Sequence, residues 1–487
     1  MGSHQKRVAV IGAGVSGVTS AKHLKGAGIE VVVFERSRQA GGNWVYDERK
    51  PLEPSYPSIT PSIADFIIEK DQKGNVVVNG VNAINGSEGY SSEDEELRFA
   101  PPGPAYSGLT NNVSTKLQQL KGFPWKEETP DFVNVRQKQE YIQSYSKYFG
   151  VEPLVRYNTR VEKLQKVDGR WKLNSATWIK DGSSKGKRVN EVEEFDSVVV
   201  ASGHYHSPNV PDIPGLKEWK RKWPERVSHS KTYRTPDEFK DKTVLLIGAG
   251  VSSMDIGREA SHIAKKIYQS SRGGPFDIPV VMLSPETERV AGIASLNLPS
   301  DNDTSGTVTL VNGTVLTGID RVVIATGYLF TLPFLLDLHD DSITPTEAND
   351  TVLITNGTQM HNLHKDIFYI PDPTLAFVGI PFYTATFSFF EFQAIAVAYV
   401  FSGRAWLPSK EAMQAEYTER VERKGSGRAL HDLKGTSIQY VDELVGWLNE
   451  QAETTGARKV EGYSEEWQAE AKLIAEKYVK RVQTQDA

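Results

Sequence analysis

"RVAVIGAGVSG", residues 7–17, begins as a run of β-branched and apolar residues and then breaks into glycines. The run reads as a buried strand and the glycines as a tight turn; "VTSAKHLKGAG" continues as a helix and "EVVVFER" returns as the next strand. The three glycines have separate jobs in such a βαβ unit. Gly12 lets the chain turn sharply, Gly14 lets backbone approach a pyrophosphate, and Gly17 lets the helix pack on the strand. The helix N-terminus then offers unpaired N–H groups to the phosphates. Twenty-three residues beyond Gly12 stands Glu35, placed to accept hydrogen bonds from the ribose hydroxyls of a dinucleotide that carries no 2′-phosphate. Ser16 in the turn and Arg36 beside the acid are assigned to the same site.

The plan recurs at residues 243–272 as "TVLLI", "GAGVSS", "MDIGREASHIAKK" and "IYQSSR". Here Gly248 and Gly250 keep their places, Ser253 takes the third slot, and Ser252 lies in the same turn. The same count of twenty-three from Gly248 reaches Ser271, with Arg272 next. A carboxylate there would repel a phosphate, whereas a hydroxyl and a guanidinium bond and neutralise one. The pair reads as a 2′-phosphate clamp; a plain surface arginine is the blander alternative. One site without phosphate selectivity beside one with it suggests FAD next to NADPH, and hence hydride transfer from nicotinamide to flavin.

Composition limits the electron acceptors and the partners. The chain has 487 residues, 39% of them hydrophobic and 10% aromatic, enough for two or three cores. A net charge of -6 gives no electrostatic footprint for nucleic acid. The absence of cysteine closes the dithiol route for electrons, leaving oxygen or an external acceptor, and also removes thiolate metal ligands. No metal site is expected. The longest apolar stretch, "AIAVAYVF" at 394–401, is far short of the roughly 20 residues of a membrane helix, and no secretory leader precedes the first strand. A soluble, cytoplasmic protein without a membrane anchor is expected.

The fold class expected is α/β, with two Rossmann-like dinucleotide-binding domains and the FAD domain discontinuous. Residues 1–204 would form its first part, 205–325 the NADP domain, and 326–487 the second part with C-terminal helices. Residues 48–106, rich in Pro, Ser, Gly and Glu, read as a surface insertion with one hairpin at "FIIEKDQKGNVVVNG". A helix is expected at 134–149, strands over 160–200, and a second hairpin at 306–318 turned at Asn312–Gly313. "SVVVASGHY" and "DRVVIATGY" each end a buried strand in small residues, as suits chain crossing between domains over a dinucleotide, with a plain strand-to-loop turn the equal alternative for either alone. The segment 463–482 reads as a solvated amphipathic helix.

At this level of detail the chain resembles the flavin-containing monooxygenases, which are class B flavoprotein monooxygenases. The resemblance spans most of the length: "GAGVSG" (12–17), "GGNW" (41–44), "YSGLTNNVSTKL" (106–117), "HSKTY" (229–233), "GAGVSSMDI" (248–256), "ATGY" (325–328) and "EFQA" (391–394). The family pattern F-x-G-x-x-x-H-x-x-x-(Y/F) falls on 223–233 with Trp223 for phenylalanine and Glu225 for glycine, while His229 and Tyr233 fit. Tyr233, in place of the Trp-Pro pair of Baeyer–Villiger enzymes, favours the heteroatom-oxidising branch.

The resemblance implies that NADPH reduces FAD, oxygen adds at flavin C4a, and a soft nitrogen or sulfur nucleophile takes the distal oxygen. It implies Asn112 as the active-site asparagine, with Asn111 in the family's threonine slot; an ordinary helix N-cap is the alternative. Trp44, Gly41 and Gly42 would lie by the isoalloxazine, as would Tyr383 and Thr386, with Gln393 a further candidate. Tyr233 joins the NADP site, and His229 and His204 receive no acid–base role. Baeyer–Villiger oxygenation of a ketone, a peroxide-releasing NADPH oxidase and a flavin-binding redox sensor stand as other readings. Partners are a small-molecule substrate and O2; the substrate's identity and the oligomeric state, a homo-oligomer included, are left open.

Overall fold

The computed structural model describes residues 5–63, 67–70, 76–79, 92–180, 186–299 and 305–483. Its seven-stranded sheet runs in the order Leu363–His364, Phe368–Tyr369, Leu375–Phe377, Ser197–Val200, Arg7–Ile11, Glu30–Phe34, Val155–Arg156. The last five of these strands are mutually parallel. Parallel strands are covered on both faces, and the sequence alternation shows how. Val8, Val10, Val31, Val33 and Val199 face the helices Val15–Gly26, Val135–Tyr148 and Thr386–Phe401. Ala9, Ile11, Val32, Phe34, Val198 and Val200 face a three-stranded antiparallel sheet of 159–195 and residues 330–335.

A second sheet takes all its strands from the middle of the chain, in the order Val227–His229, Arg321–Ile324, Thr243–Ile247, Lys266–Ser270, Thr287–Val290, all parallel. The first sheet therefore draws on segments from both sides of the second. Where the chain passes between them, Ser207–Pro208 and Tyr328–Leu329 pair as an antiparallel ribbon, so the two passages are tied together.

Local signals account for several boundaries. Helix Val135–Tyr148 starts at a capping box in which Gln137 N–H donates to Asn134 (3.0 Å) and Asn134 N–H donates to Gln137 (3.2 Å). The hairpin Thr307–Leu310 with Val315–Leu316 turns through Gly313 at φ +84°, and Ile293–Asn297 adds an unexpected third strand. In the 48–106 segment, Ile67–Lys70 pairs with Val76–Asn79, while the turn between them lies outside the described residues. The segment is more than surface decoration. Tyr56 joins the second-module core, and Arg234 donates to the carbonyls of Arg49 (3.0 Å) and Gly103 (3.2 Å).

His229 is fully buried where the second sheet meets the returning chain. Lys231 N–H donates to its Nδ1 (3.1 Å), so Nε2 carries the proton and donates to Gly327 O (3.2 Å). Burial, with Lys231 nearby, pushes its pKa down to about 3. The sign follows from linkage: an unfolded histidine titrates near 6.5, so acid favours the unfolded chain from about pH 6.5 downward, by about 1.4 kcal/mol per pH unit for such a site. His229→Gln, which keeps a donor for Gly327, is expected to flatten the fall of the urea midpoint between neutral and acidic pH.

Candidate functional site

Both glycine turns open onto one cavity of about 1830 Å³. In the first, Gly12 has φ +105°, and a Cβ there would lie 2.5 Å from Ala201 O. A Cβ on Gly17 would lie 1.8 Å from Gly12 O, so that glycine serves the packing of helix on turn and is off the cavity wall. Gly14 and Gly42 face each other, where a Cβ on Gly42 would come within 2.9 Å of Gly14 Cα. Gly14 is the N-cap of helix Val15–Gly26 and no side chain caps it, which leaves N–H groups for an anion.

Glu35 is buried on the wall. Its two carboxylate oxygens accept from Ala13 N–H (2.7 Å) and Ser37 N–H (2.8 Å), which ties the acid to the glycine turn while each oxygen retains a second lone pair. Arg36 donates to His206 Nδ1 (2.6 Å), and both line the cavity with Ser16.

In the second turn Gly248 has φ +114° and a Cβ there would lie 2.4 Å from Ala325 O, repeating the first turn's constraint. Gly250 is the uncapped N-cap of helix Val251–Ala260, and Gly248, Gly250 and Ser252 line the cavity. Ser271 and Arg272 also line it. Arg272 is exposed and forms no ion pair or hydrogen bond among the described residues. Ser271 accepts from Gly273 N–H (2.9 Å) and donates to Asp277, an acid that sequence reasoning did not connect with the clamp.

Elsewhere on the wall, Asn112 lines the cavity without a side-chain hydrogen bond among the described residues. No helix follows it, so the helix-cap alternative has no helix to cap. Its neighbour Asn111 is buried and holds the loop, donating to Val113 O (2.7 Å) and Asp131 O (2.8 Å) and accepting from Val133 N–H (2.6 Å). Trp44 meets Phe387 edge-on at 6.3 Å, and Thr386 opens the aromatic helix and accepts from Gln118 Nε2 (3.1 Å). Tyr383, at φ +55°, stacks its ring on Phe276 of the clamp loop at 6.3 Å.

Besides Gly17, three sequence-assigned residues lie off the wall. Gln393 is fully buried, accepting from Gly379 N–H (3.0 Å) and donating to Tyr440 Oη (3.1 Å); it shapes the cavity only through Gly379. Ser253 turns toward the sheet, donating to Gly250 O (2.9 Å) and accepting from Gln269 (2.8 Å). Tyr233 is buried against Tyr106 and Phe239 and donates to Glu259. In each case an interior partner competes for the side chain and wins, since a buried polar atom without one is costly.

The C-terminal helix Glu465–Gln483 is likewise not simply solvated. Its stripe Trp467, Ala471, Ile474, Ala475 lines the cavity, anchored by Trp467 Nε1 donating to Leu117 O (3.0 Å). The stripe's helical spacing was legible; its partner was not. Among the described residues no helix is long and apolar enough to cross a membrane, and no side-chain cluster could hold a metal.

Two parallel sheets presenting glycine turns to one cavity define a two-dinucleotide oxidoreductase. The chain belongs to the flavin-binding monooxygenase-like (FMO-like) family, whose model matches residues 5–63, 93–284 and 288–455. It is 41% identical to flavin-containing monooxygenase ustF2 of Aspergillus flavus, covering 97% of each chain. It is 30% identical to flavin-containing monooxygenase iboF of Amanita muscaria, over 93% of this chain and 90% of that one. Among solved structures it is similar to S-allyl-L-cysteine S-oxygenase from Allium sativum, with a TM-score of 0.68, 25% identity, and coverage of 98% and 94%. Cyclohexanone monooxygenase bound to epsilon-caprolactone shares the fold, with a TM-score of 0.56 at 13% identity and coverage of 95% and 100%. Membership carries FAD and NADPH as cofactors and monooxygenation as the reaction class, with a small molecule and O2 as partners.

Proposed function

We propose that this enzyme is an NADPH- and O2-dependent monooxygenase that oxygenates a soft nitrogen or sulfur atom of a small molecule. The observation that carries the reading is the pair of glycine turns facing one cavity, one ending at Glu35 and the other at Ser271 and Arg272. The first cradle fits FAD: side chains at Gly14 and Gly42 would fill it, and the uncapped helix behind it suits a pyrophosphate. Bound FAD supplies the redox chemistry, accepting hydride from NADPH and activating oxygen for transfer.

The chain's own residues bind, orient and exclude water. Glu35 addresses the adenosine ribose of FAD, and Arg272 with Ser271 the 2′-phosphate of NADPH. Asn112 presents an amide that donates or accepts without titrating. His204 on the wall is kept neutral: burial, with His431 and Arg428 nearby, pushes its pKa down to about 3. Phe387, Phe390 and the C-terminal stripe give an apolar enclosure, which slows proton delivery and suits a soft nucleophile over a charged one.

The test is oxygen and NADPH consumption by the FAD-loaded enzyme with a thioether, a tertiary amine or a cyclic ketone present. Sulfoxide or N-oxide formed in step with NADPH supports the reading. Lactone as the sole product, or NADPH consumption yielding only peroxide, sinks it. Two side chains refine the test. Asn112→Leu is expected to convert most turnover to peroxide release, roughly a tenfold or greater loss of coupling, as for loss of a hydrogen bond at the reacting centre. Trp467→Ala is expected to raise the substrate KM about tenfold while leaving the KM for NADPH unchanged, since truncation removes apolar cover from the wall and its contacts, with Leu117 and Tyr463, involve neither glycine turn.

A further inference from the structure

Lys138 is a fully buried lysine with no carboxylate partner among the described residues. Its side chain has no exposed surface, and its Nζ lies 3.7 Å from the ring centre of Phe387, 5.1 Å from Trp125 and 5.2 Å from Trp44. Tyr141 backs the cage, stacked on Trp125 at 3.8 Å. The one hydrogen bond recorded for Nζ goes to Gln118 Oε1, and no carboxylate pairs with it among the described residues. The fold does pair buried charge elsewhere. On the same aromatic helix, Glu391 takes Lys22 and His23, each at 2.8 Å, and stays ionised.

An unpaired buried cation is expensive, so a proton held on Nζ calls for an anion that binds or a field that it serves. Three aromatic faces offset part of the cost, and burial pushes the lysine's pKa well below its ordinary value. What marks the site is position. Trp44, Gln118 and Phe387 have one side toward Lys138 and one on the cavity wall, and Gln118 passes the contact on to Thr386, also on the wall.

We infer that Lys138 is a positioning and electrostatic residue for the flavin: from behind the wall it fixes the Gln118 amide, and in its protonated form it favours the reduced, more negatively charged form of bound FAD. The inference rests on the proposal that FAD lies beside Trp44. Protein charge near the ring system is one of the means by which a fold tunes flavin electronics.

The test is the two-electron midpoint potential of FAD in the holoenzyme, titrated anaerobically without NADPH. Lys138→Met and Lys138→Gln, both neutral and of similar length, are expected to weaken binding of reduced relative to oxidised FAD about tenfold, a fall of about 30 mV for a two-electron couple. Lys138→Arg, which restores the cation, is expected to hold the wild-type potential. A neutral variant that keeps FAD at the wild-type potential overturns the inference. Should both neutral variants purify without flavin, recovery of FAD in the arginine variant supports the charge requirement. Failure of the arginine variant as well shows that the lysine only fills space, and overturns it. Because the titration uses neither NADPH nor substrate, its failure is distinct from failure of the proposed reaction, which is read from wild-type turnover.

Discussion

Gly12→Ala is expected to yield a colourless protein, and Gly248→Ala a yellow one that NADPH no longer reduces. Both glycines occupy the left-handed region, at φ +105° and +114°, where a side chain costs on the order of 1–3 kcal/mol. Both also point their missing Cβ at a backbone carbonyl of the adjacent passage, Ala201 O at 2.5 Å and Ala325 O at 2.4 Å. Backbone cannot step aside as a flexible side chain can, so the turn itself must open. A turn opened by a few tenths of an ångström misaligns the N–H groups aimed at the pyrophosphate, and about 3 kcal/mol lost there is more than a hundredfold in affinity. Flavin absorbance of the purified proteins checks the first variant and anaerobic stopped-flow reduction the second. Gly26→Ala, where a Cβ would meet nothing within 4 Å, is the control expected to change neither. Normal FAD content in Gly12→Ala would remove the assignment of the first cradle, and normal NADPH reduction in Gly248→Ala that of the second.

Arg272→Ala is expected to raise the KM for NADPH by roughly 10- to 150-fold, the value of one charge-assisted contact of about 1.5–3 kcal/mol, and to leave NADH almost unaffected. The expectation is sharp because the guanidinium is exposed and forms no ion pair or hydrogen bond among the described residues, so its removal breaks no internal polar contact. Thermal stability should therefore be unchanged. Asp277 adds a second expectation. It holds the Ser271 hydroxyl that a 2′-phosphate would want, so Asp277→Asn should move the NADPH-to-NADH ratio in the opposite direction to Arg272→Ala. Steady-state kinetics with both donors settle each point. An unchanged donor ratio in Arg272→Ala would mean that this arginine is only a surface residue.

Much of this was legible before any coordinates. Glycine at positions 12, 14, 17, 248 and 250, the acid at 35 and the serine and arginine at 271–272 are constraints that act within about thirty residues of chain. The turn geometry, the helix after it and the side chain at the next strand's end all belong to one βαβ unit. The lack of cysteine excluded a dithiol acceptor without reference to shape.

The misplacements share one cause. Gln393, Ser253 and Tyr233 each sit in or beside a matched motif, yet their polar atoms found partners at Gly379, Gln269 and Glu259, positions that motif spacing does not reveal. The C-terminal stripe and the Lys138 cage were missed for the converse reason: an apolar face or a lysine in a helix has the same local pattern whether it meets solvent, core or cavity.

By itself, then, the sequence determined the two βαβ units and the side chains that end each of them, because those depend on backbone torsions and short-range spacing, while the reaction class came from the family resemblance. Tertiary structure alone decided that both turns open on one cavity, that residues of the C-terminal helix line it, and that a buried lysine stands behind its aromatic wall. Those outcomes come from packing between segments up to several hundred residues apart, where burial and hydrogen-bond satisfaction choose among neighbours that no local pattern names.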